Sequence, residues 1–117
     1  MNGTVAVRQN LGFRKCKTPQ KGDHPLTMAS IKGYLAELSG WSLSRQGIIK
    51  TFTFKNFYET IEFVNALAYI ANRENHHPDL EVGYKTCKVG YCSHEVGGLT
   101  ENDFICATKI DELVTRA

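Results

Sequence analysis

Three stretches with helical spacing of apolar residues, separated by two pairs of alternating stretches, predict an α+β domain. The expected architecture is a single four-stranded antiparallel sheet with three helices on one face, in the order α-β-β-α-β-β-α. Helical spacing of three and four recurs in 27–38, 56–72 and 100–114, whereas period-two alternation marks 41–44, 48–54, 80–84 and 86–93. No internal repeat or low-complexity tract interrupts this order.

Residues 1–26 mix Gly, Pro, Lys and Gln without periodicity and end in the turn signal Asp23-His24-Pro25. They read as a solvated, flexible N-terminal arm whose bias is basic (Arg14, Lys15, Lys17, Lys21), leaving 27–117 as the folded domain. His24 reads as a surface residue of this turn. Thr27 caps the first helix, which carries Ile31, Tyr34, Leu35 and Leu38 on one side and ends near Ser39-Gly40. Trp41 to Ser44, a turn at Arg45-Gln46-Gly47, and Ile48 to Phe54 form a hairpin. Trp41 is expected in the core, and Lys50, on the face of Ile48 and Phe52, is expected to reach water with its ammonium.

Asn56 caps the second helix, Phe57 to Asn72. Its stripe of Phe57, Ile61, Val64, Ala68 and Ala71, flanked by Phe63, Leu67 and Ile70, is wider than one small sheet covers, so part of it is expected to face another subunit. After Pro78 a short strand through Leu80 to Tyr84 and a longer one through Thr86 to Ser93 follow, with Cys87, Val89 and Tyr91 on one face. Tyr84 and Tyr91 read as sheet packing. Thr100-x-x-Asp103 resembles a capping box and opens the third helix through Phe104, Ala107, Ile110, Leu113 and Val114.

A chain of 117 residues makes one domain with a real core. The formal charge of +2 supplies no concentrated field for a nucleic-acid backbone, and no stretch has the length of a membrane span or the apolar run of a secretory signal. A cytoplasmic setting is expected. The cysteines Cys16, Cys87, Cys92 and Cys106 follow no Cys-x-x-Cys pattern and read as free thiols acting as small hydrophobes.

Three of the four histidines lie within nineteen residues: His76, His77 and His94. Imidazoles exchange protons near neutral pH, so their grouping points to acid–base chemistry. Pro78 pushes His77 into extended geometry, which lets adjacent rings aim differently. A structural account, in which each ring only satisfies hydrogen bonds, remains open beside it. So does a zinc set of His76, His77, His94 and Cys92, although neither HExxH nor Cys-x-x-Cys supports a metal and none is expected. Ser93-His94 lacks a GxSxG elbow, and no phosphate-cradling glycine loop exists, so no nucleotide cofactor is indicated. Asp103 combines a capping role with a possible second one, orienting a histidine.

His76-His77-Pro78, five residues, Tyr84, nine residues, His94, eight residues and Asp103 resemble the signature of the pterin-4a-carbinolamine dehydratases. Gly98-Leu99-Thr100-x-x-Asp103-Phe104 extends the resemblance, which covers about 24–115. It implies elimination of water from a 4a-hydroxytetrahydropterin to give quinonoid dihydropterin, serving the cofactor of an aromatic amino-acid hydroxylase, with the pterin as substrate and no cofactor. By position it implies His76 and His94 in proton transfer and His77 in substrate binding and electrostatics, with Asp103 as the family's aspartate; Pro78 and Glu74 join Asp103 as candidates for substrate binding or orienting. One position departs: the family places an acidic or ionisable residue four before the first histidine, where this chain has Asn72, and Glu74 is the candidate to compensate. The resemblance also implies homodimers through sheet edges or homotetramers through the second helices. It leaves open a protein-binding dimerisation module, or a pterin-binding role in molybdopterin metabolism.

Overall fold

The computed structural model describes residues 10–45 and 47–115. The part of the expected arm before residue 10, and Gln46 of the hairpin turn, lie outside the described residues. Three helices, α1 (Met28–Leu35), α2 (Phe57–Glu74) and α3 (Glu101–Thr115), alternate with strands β1 (Ser42–Ser44), β2 (Gly47–Thr53), β3 (Asp79–Val82) and β4 (Thr86–Tyr91). The strands form one antiparallel sheet in the order β1-β2-β4-β3, so the two longest strands are central and the short ones are the edges. This is the α+β order that the apolar spacing predicts.

Alternation decides which face the helices cover. Ile48 and Phe52 of β2 and Cys87, Val89 and Tyr91 of β4 point to the helices and are buried with Phe63 and Leu67 of α2 and Phe104, Ile105, Cys106 and Ile110 of α3. Tilted ring contacts of Phe63 with Phe52 and Phe54, at 4.7 and 5.0 Å, lock α2 to the sheet. Phe63 and Leu67, which the sequence places beside the free stripe of α2, are therefore core residues. The outward aromatic residues of α2 are instead Phe57, Tyr58 and Tyr69.

Helix starts follow their caps: Thr27 Oγ1 accepts from the Ser30 amide at 3.2 Å, and Asn56 Oδ1 from the Glu59 amide at 2.9 Å. The end of α1 comes earlier than its apolar spacing suggests. Glu37 and Leu38 donate to Tyr34 and Leu35, three residues back, so the last turns tighten and leave the α-helix. Gly47, at φ 107°, begins β2 where an added Cβ would collide with the Tyr91 carbonyl, so no larger residue fits.

Two local expectations are corrected. Lys50 does not extend freely into water: its Nζ, still partly exposed, donates to Asp111 Oδ1 and to the Ser39 carbonyl, both at 2.8 Å, because α3 brings Asp111 to that end of the sheet. Buried Trp41 donates Nε1 to the same Asp111 carboxylate at 3.1 Å. Tyr84 is not sheet packing but sits exposed on the β3–β4 turn, stacked on Phe57 with ring centroids 6.0 Å apart.

The described part of the predicted arm is held against the helices. Leu11, in a 3-10 turn at Leu11–Phe13, is buried in the core. Beyond it, Lys109 Nζ donates to the Gly12 carbonyl at 2.9 Å and Arg14 pairs with Glu101 at 3.1 Å. These anchors lie 87 or more positions from their partners, which is why local composition gave no sign of them.

Candidate active site

The site begins where α2 stops. Asn75 takes the left-handed conformation, φ 51°, and its amide bonds the Asn72 carbonyl at 3.3 Å while the His76 amide bonds the Ala71 carbonyl at 3.1 Å. This pair of bonds is a Schellman motif with asparagine in its left-handed position. It turns the chain sharply, so that His76 swings inward and His77, against Pro78, stays outside. The buried His76 and the exposed His77 thus follow from one helix end.

Inside, His76 Nε2 meets Asp103 Oδ1 at 2.6 Å. Asp103 is fully buried, and its other oxygen accepts from Ser93 Oγ and from the Thr100 amide, both at 2.9 Å. A carboxylate only accepts, so Nε2 carries the proton and the neutral imidazole keeps its lone pair at Nδ1. Ser93 has spent its hydrogen on Asp103, so the Thr100 hydroxyl donates to Ser93 Oγ at 2.8 Å and accepts from the Asn102 amide at 3.2 Å. The Thr100–Asp103 capping box and the histidine partner are therefore one carboxylate with two duties.

Tyr91 completes the wall. Its ring stacks on His76 with centroids 5.1 Å apart, and its hydroxyl donates to the His76 carbonyl at 3.2 Å. Burial pushes the Tyr91 phenol up, so it remains a neutral donor. For His76, burial is the largest single influence and opposes the charged form. The hydrogen bond and the charge of Asp103 together outweigh it, and the net direction is upward.

His77 Nε2 faces Asn72 Oδ1 at 3.0 Å, one helical turn back on α2. The residue that departs from the family pattern thus makes the contact itself. Glu74, expected to compensate, lies elsewhere: its Oε1 accepts from the Cys16 amide at 2.8 Å and its Oε2 lies 3.7 Å from Lys109 Nζ. Two positions along a helix point a side chain some 200° away, which is why Glu74 faces α3 and not the histidines.

His94 opens a 3-10 turn, His94–Val96, that leaves the sheet just after β4. The turn is pinched at its base by the Ser93–Gly98 bridge, with the Ser93 amide donating to the Gly98 carbonyl at 2.9 Å. His94 is exposed, but its neighbour Ser93 is the residue bonded to Asp103. One carboxylate therefore roots both His76 and the loop of His94. His24 is exposed and lines an open hollow of about 200 Å³ with Lys17, Val96, Thr100 and Asn102, on the outer side of the Thr100 network.

The members of the zinc set have separate partners: His76 bonds Asp103, His77 bonds Asn72, and Cys92 Sγ donates to the Gly98 carbonyl at 3.6 Å. Among the described residues no three His, Cys, Asp or Glu side chains cluster to hold a metal ion, and no helix is long and apolar enough to cross a membrane. Sequence reasoning missed the parts played by Asn72, Asn75, Ser93 and Tyr91. Asparagine ahead of a His-His-Pro run was a signal for the left-handed helix end; the hydroxyl of Ser93 had none, because its partner is ten residues away.

Residues 24–113 match the family described as pterin 4 alpha carbinolamine dehydratase. A relative from Nitrosomonas europaea, provisionally named pterin-4-alpha-carbinolamine dehydratase, is 52% identical over 89% of this chain and 93% of its own length. Another from Bdellovibrio bacteriovorus, with the same provisional name, is 55% identical over 78% of this chain and 79% of its own. A crystal structure described as a transcriptional coactivator/pterin dehydratase from Brucella melitensis superposes with a TM-score of 0.74 at 28% identity, covering 77% of this chain and 98% of that one.

Proposed function

The chain belongs to the pterin 4 alpha carbinolamine dehydratase family, and from that membership we propose that it dehydrates a 4a-hydroxytetrahydropterin to the quinonoid dihydropterin by histidine acid–base catalysis. The observation that carries the reading is the buried His76–Asp103 pair. It keeps His76 protonated to higher pH than an ordinary histidine while committing Nε2 to the carboxylate, so the proton available for transfer is on Nδ1.

In this mechanism the 4a-hydroxyl takes the Nδ1 proton of His76 as the C4a–O bond breaks, the N5 lone pair forms the C4a–N5 double bond, and water leaves. His94, exposed on its turn, accepts the N5 proton. His77, held by Asn72, binds the pterin and steadies the charge that develops. Pro78 and Asp103 position the histidines, and the pterin is substrate with no resident cofactor. The setting we propose is cytoplasmic, where four free thiols persist and where a hydroxylase spending tetrahydropterin would supply the carbinolamine.

We place a homo-oligomer beside this chemistry, joined through a sheet edge or the outer face of α2, which presents Tyr58 and Tyr69 at 84% and 63% exposure. A second reading, a protein-binding module, draws on the coactivator description of the Brucella relative and on the same exposed aromatic residues. Stopped-flow loss of the 4a-carbinolamine, generated in place by a hydroxylase, separates the two. Acceleration by the wild-type chain that collapses in His94→Ala supports the dehydratase. No acceleration by the folded wild-type chain rejects it, and a partner lost on Tyr58→Asp but kept in His94→Ala supports the binding module.

A further inference from the structure

Behind the site, the fold brings together two thiols that the proposed dehydration does not use. Cys16 and Cys106, 90 positions apart, hold their Sγ atoms 3.5 Å from each other, and both are free. The segment carrying Cys16 is fixed at three points. Its amide donates to Glu74 Oε1 at 2.8 Å, the Lys17 amide donates to Asn102 Oδ1 at 2.9 Å, and Asn102 Nδ2 returns a bond to the Lys17 carbonyl at 2.7 Å. Cys106 is buried on α3, close to one turn beyond Asp103. A disulfide bond is about 2.05 Å long, so closure asks for roughly 1.5 Å of approach between the sulfurs.

We propose that Cys16 and Cys106 form an oxidisable pair that hydrogen peroxide closes to an intramolecular disulfide. In the first step one thiol, having lost its proton, attacks a peroxide oxygen; an S–O bond forms, the O–O bond breaks, and hydroxide takes up the proton as water. In the second step the other thiolate attacks that sulfenic sulfur, the S–S bond forms, the S–O bond breaks, and a second water leaves. The two sulfurs give up two electrons and the peroxide receives them.

The local chemistry suits this pair more than the other two cysteines. Cys106 is shifted below the ordinary thiol range, chiefly by its hydrogen bond with Cys16, and that same contact is the main reason Cys16, whose Sγ also lies 3.6 Å from the Asn102 carbonyl oxygen, is shifted upward. Thiolate character is what makes a cysteine react with peroxide. Burial raises Cys87, and burial likewise leads the upward shift of Cys92, whose Sγ is turned to the Gly98 carbonyl.

The test uses the full chain, reduced, freed of reductant and treated with hydrogen peroxide. The expected result is loss of two of the four thiols, an intact mass lower by two hydrogens, a peptide pair joining Cys16 to Cys106, a higher melting temperature, and reversal of all four by dithiothreitol. The Cys87→Ser/Cys92→Ser double variant should respond as the wild type does, and Cys16→Ser should lose the mass change and the melting shift. Cys16 is the more accessible member, so its variant is expected to fold where a Cys106 variant could fail. Peroxide that leaves the Cys16 and Cys106 peptides unlinked, or that joins chains through Cys92 instead, overturns the proposal.

Discussion

His76 and Asp103, 27 positions apart in sequence, meet at 2.6 Å through Nε2 and Oδ1, with the carboxylate wholly buried. The same carboxylate caps α3 at Thr100 and holds Ser93 at the base of the His94 turn. Removing it therefore disturbs a histidine, a helix start and a loop together. Asp103→Ala should cost about 3–5 kcal/mol, the range for breaking a buried charged pair, and Asp103→Asn about 1–3 kcal/mol, as for a weakened buried hydrogen bond. Urea unfolding measures both, and an Asp103→Ala loss below about 1 kcal/mol would mean the network is not rigid.

The upward shift of His76 has a signed consequence for stability. A histidine raised on folding adds stability that is full below its ordinary value of 6.5 and is lost as pH rises through the raised folded value. The melting temperature of the wild type should therefore fall as pH rises above about 6.5 and through the raised folded value, and His76→Asn should flatten that part of the profile. A wild-type profile that rises over this interval contradicts the pairing.

His77 and His94 are exposed, so their loss should leave the fold intact. Substitution of either by alanine is expected to change stability by no more than about 0.5 kcal/mol. If they act in proton transfer or charge stabilisation, the rate of carbinolamine loss should drop about 10²- to 10⁴-fold. A folded variant that keeps the full rate removes that histidine from the chemistry.

Glu74 offers the opposite pattern. Its two carboxylate oxygens go to the Cys16 amide and toward Lys109, on the side of α2 away from Asn72. Glu74→Ala should cost about 1.5–3 kcal/mol, the range for a hydrogen bond to a charged group, while leaving the rate per folded molecule unchanged. Protease sensitivity near Cys16 should rise in the same variant. A large loss of rate with the segment still protected would return Glu74 to the site.

Core and interface on α2 are separable in the same way. Phe63 is buried among Phe52 and Phe54, so Phe63→Asp should prevent folding, by more than about 4 kcal/mol, and is no probe of assembly. Tyr58 is exposed, and Tyr58→Asp should leave stability nearly unchanged. Sedimentation of the Tyr58 variant beside the wild type tests whether the outer face of α2 joins copies of the chain.

The features that depend on local spacing were legible in the order of the amino acids. Caps at Thr27, Asn56 and Thr100, the face shared by Cys87, Val89 and Tyr91, and the order of helices and strands all follow from periodicity and from short-range hydrogen bonding. The histidine pair at a helix end was legible for the same reason, since Pro78 excludes helix before it. The packed chain decided that His76 meets Asp103, that Asn72 and not Glu74 serves His77, that Lys50 is spent on Asp111, and that residues 10–17 lie on α2 and α3. Each of these choices rests on a partner outside the local pattern or on the direction a helix gives a side chain. Periodicity fixes which face a residue occupies; only the packed chain fixes what meets it there.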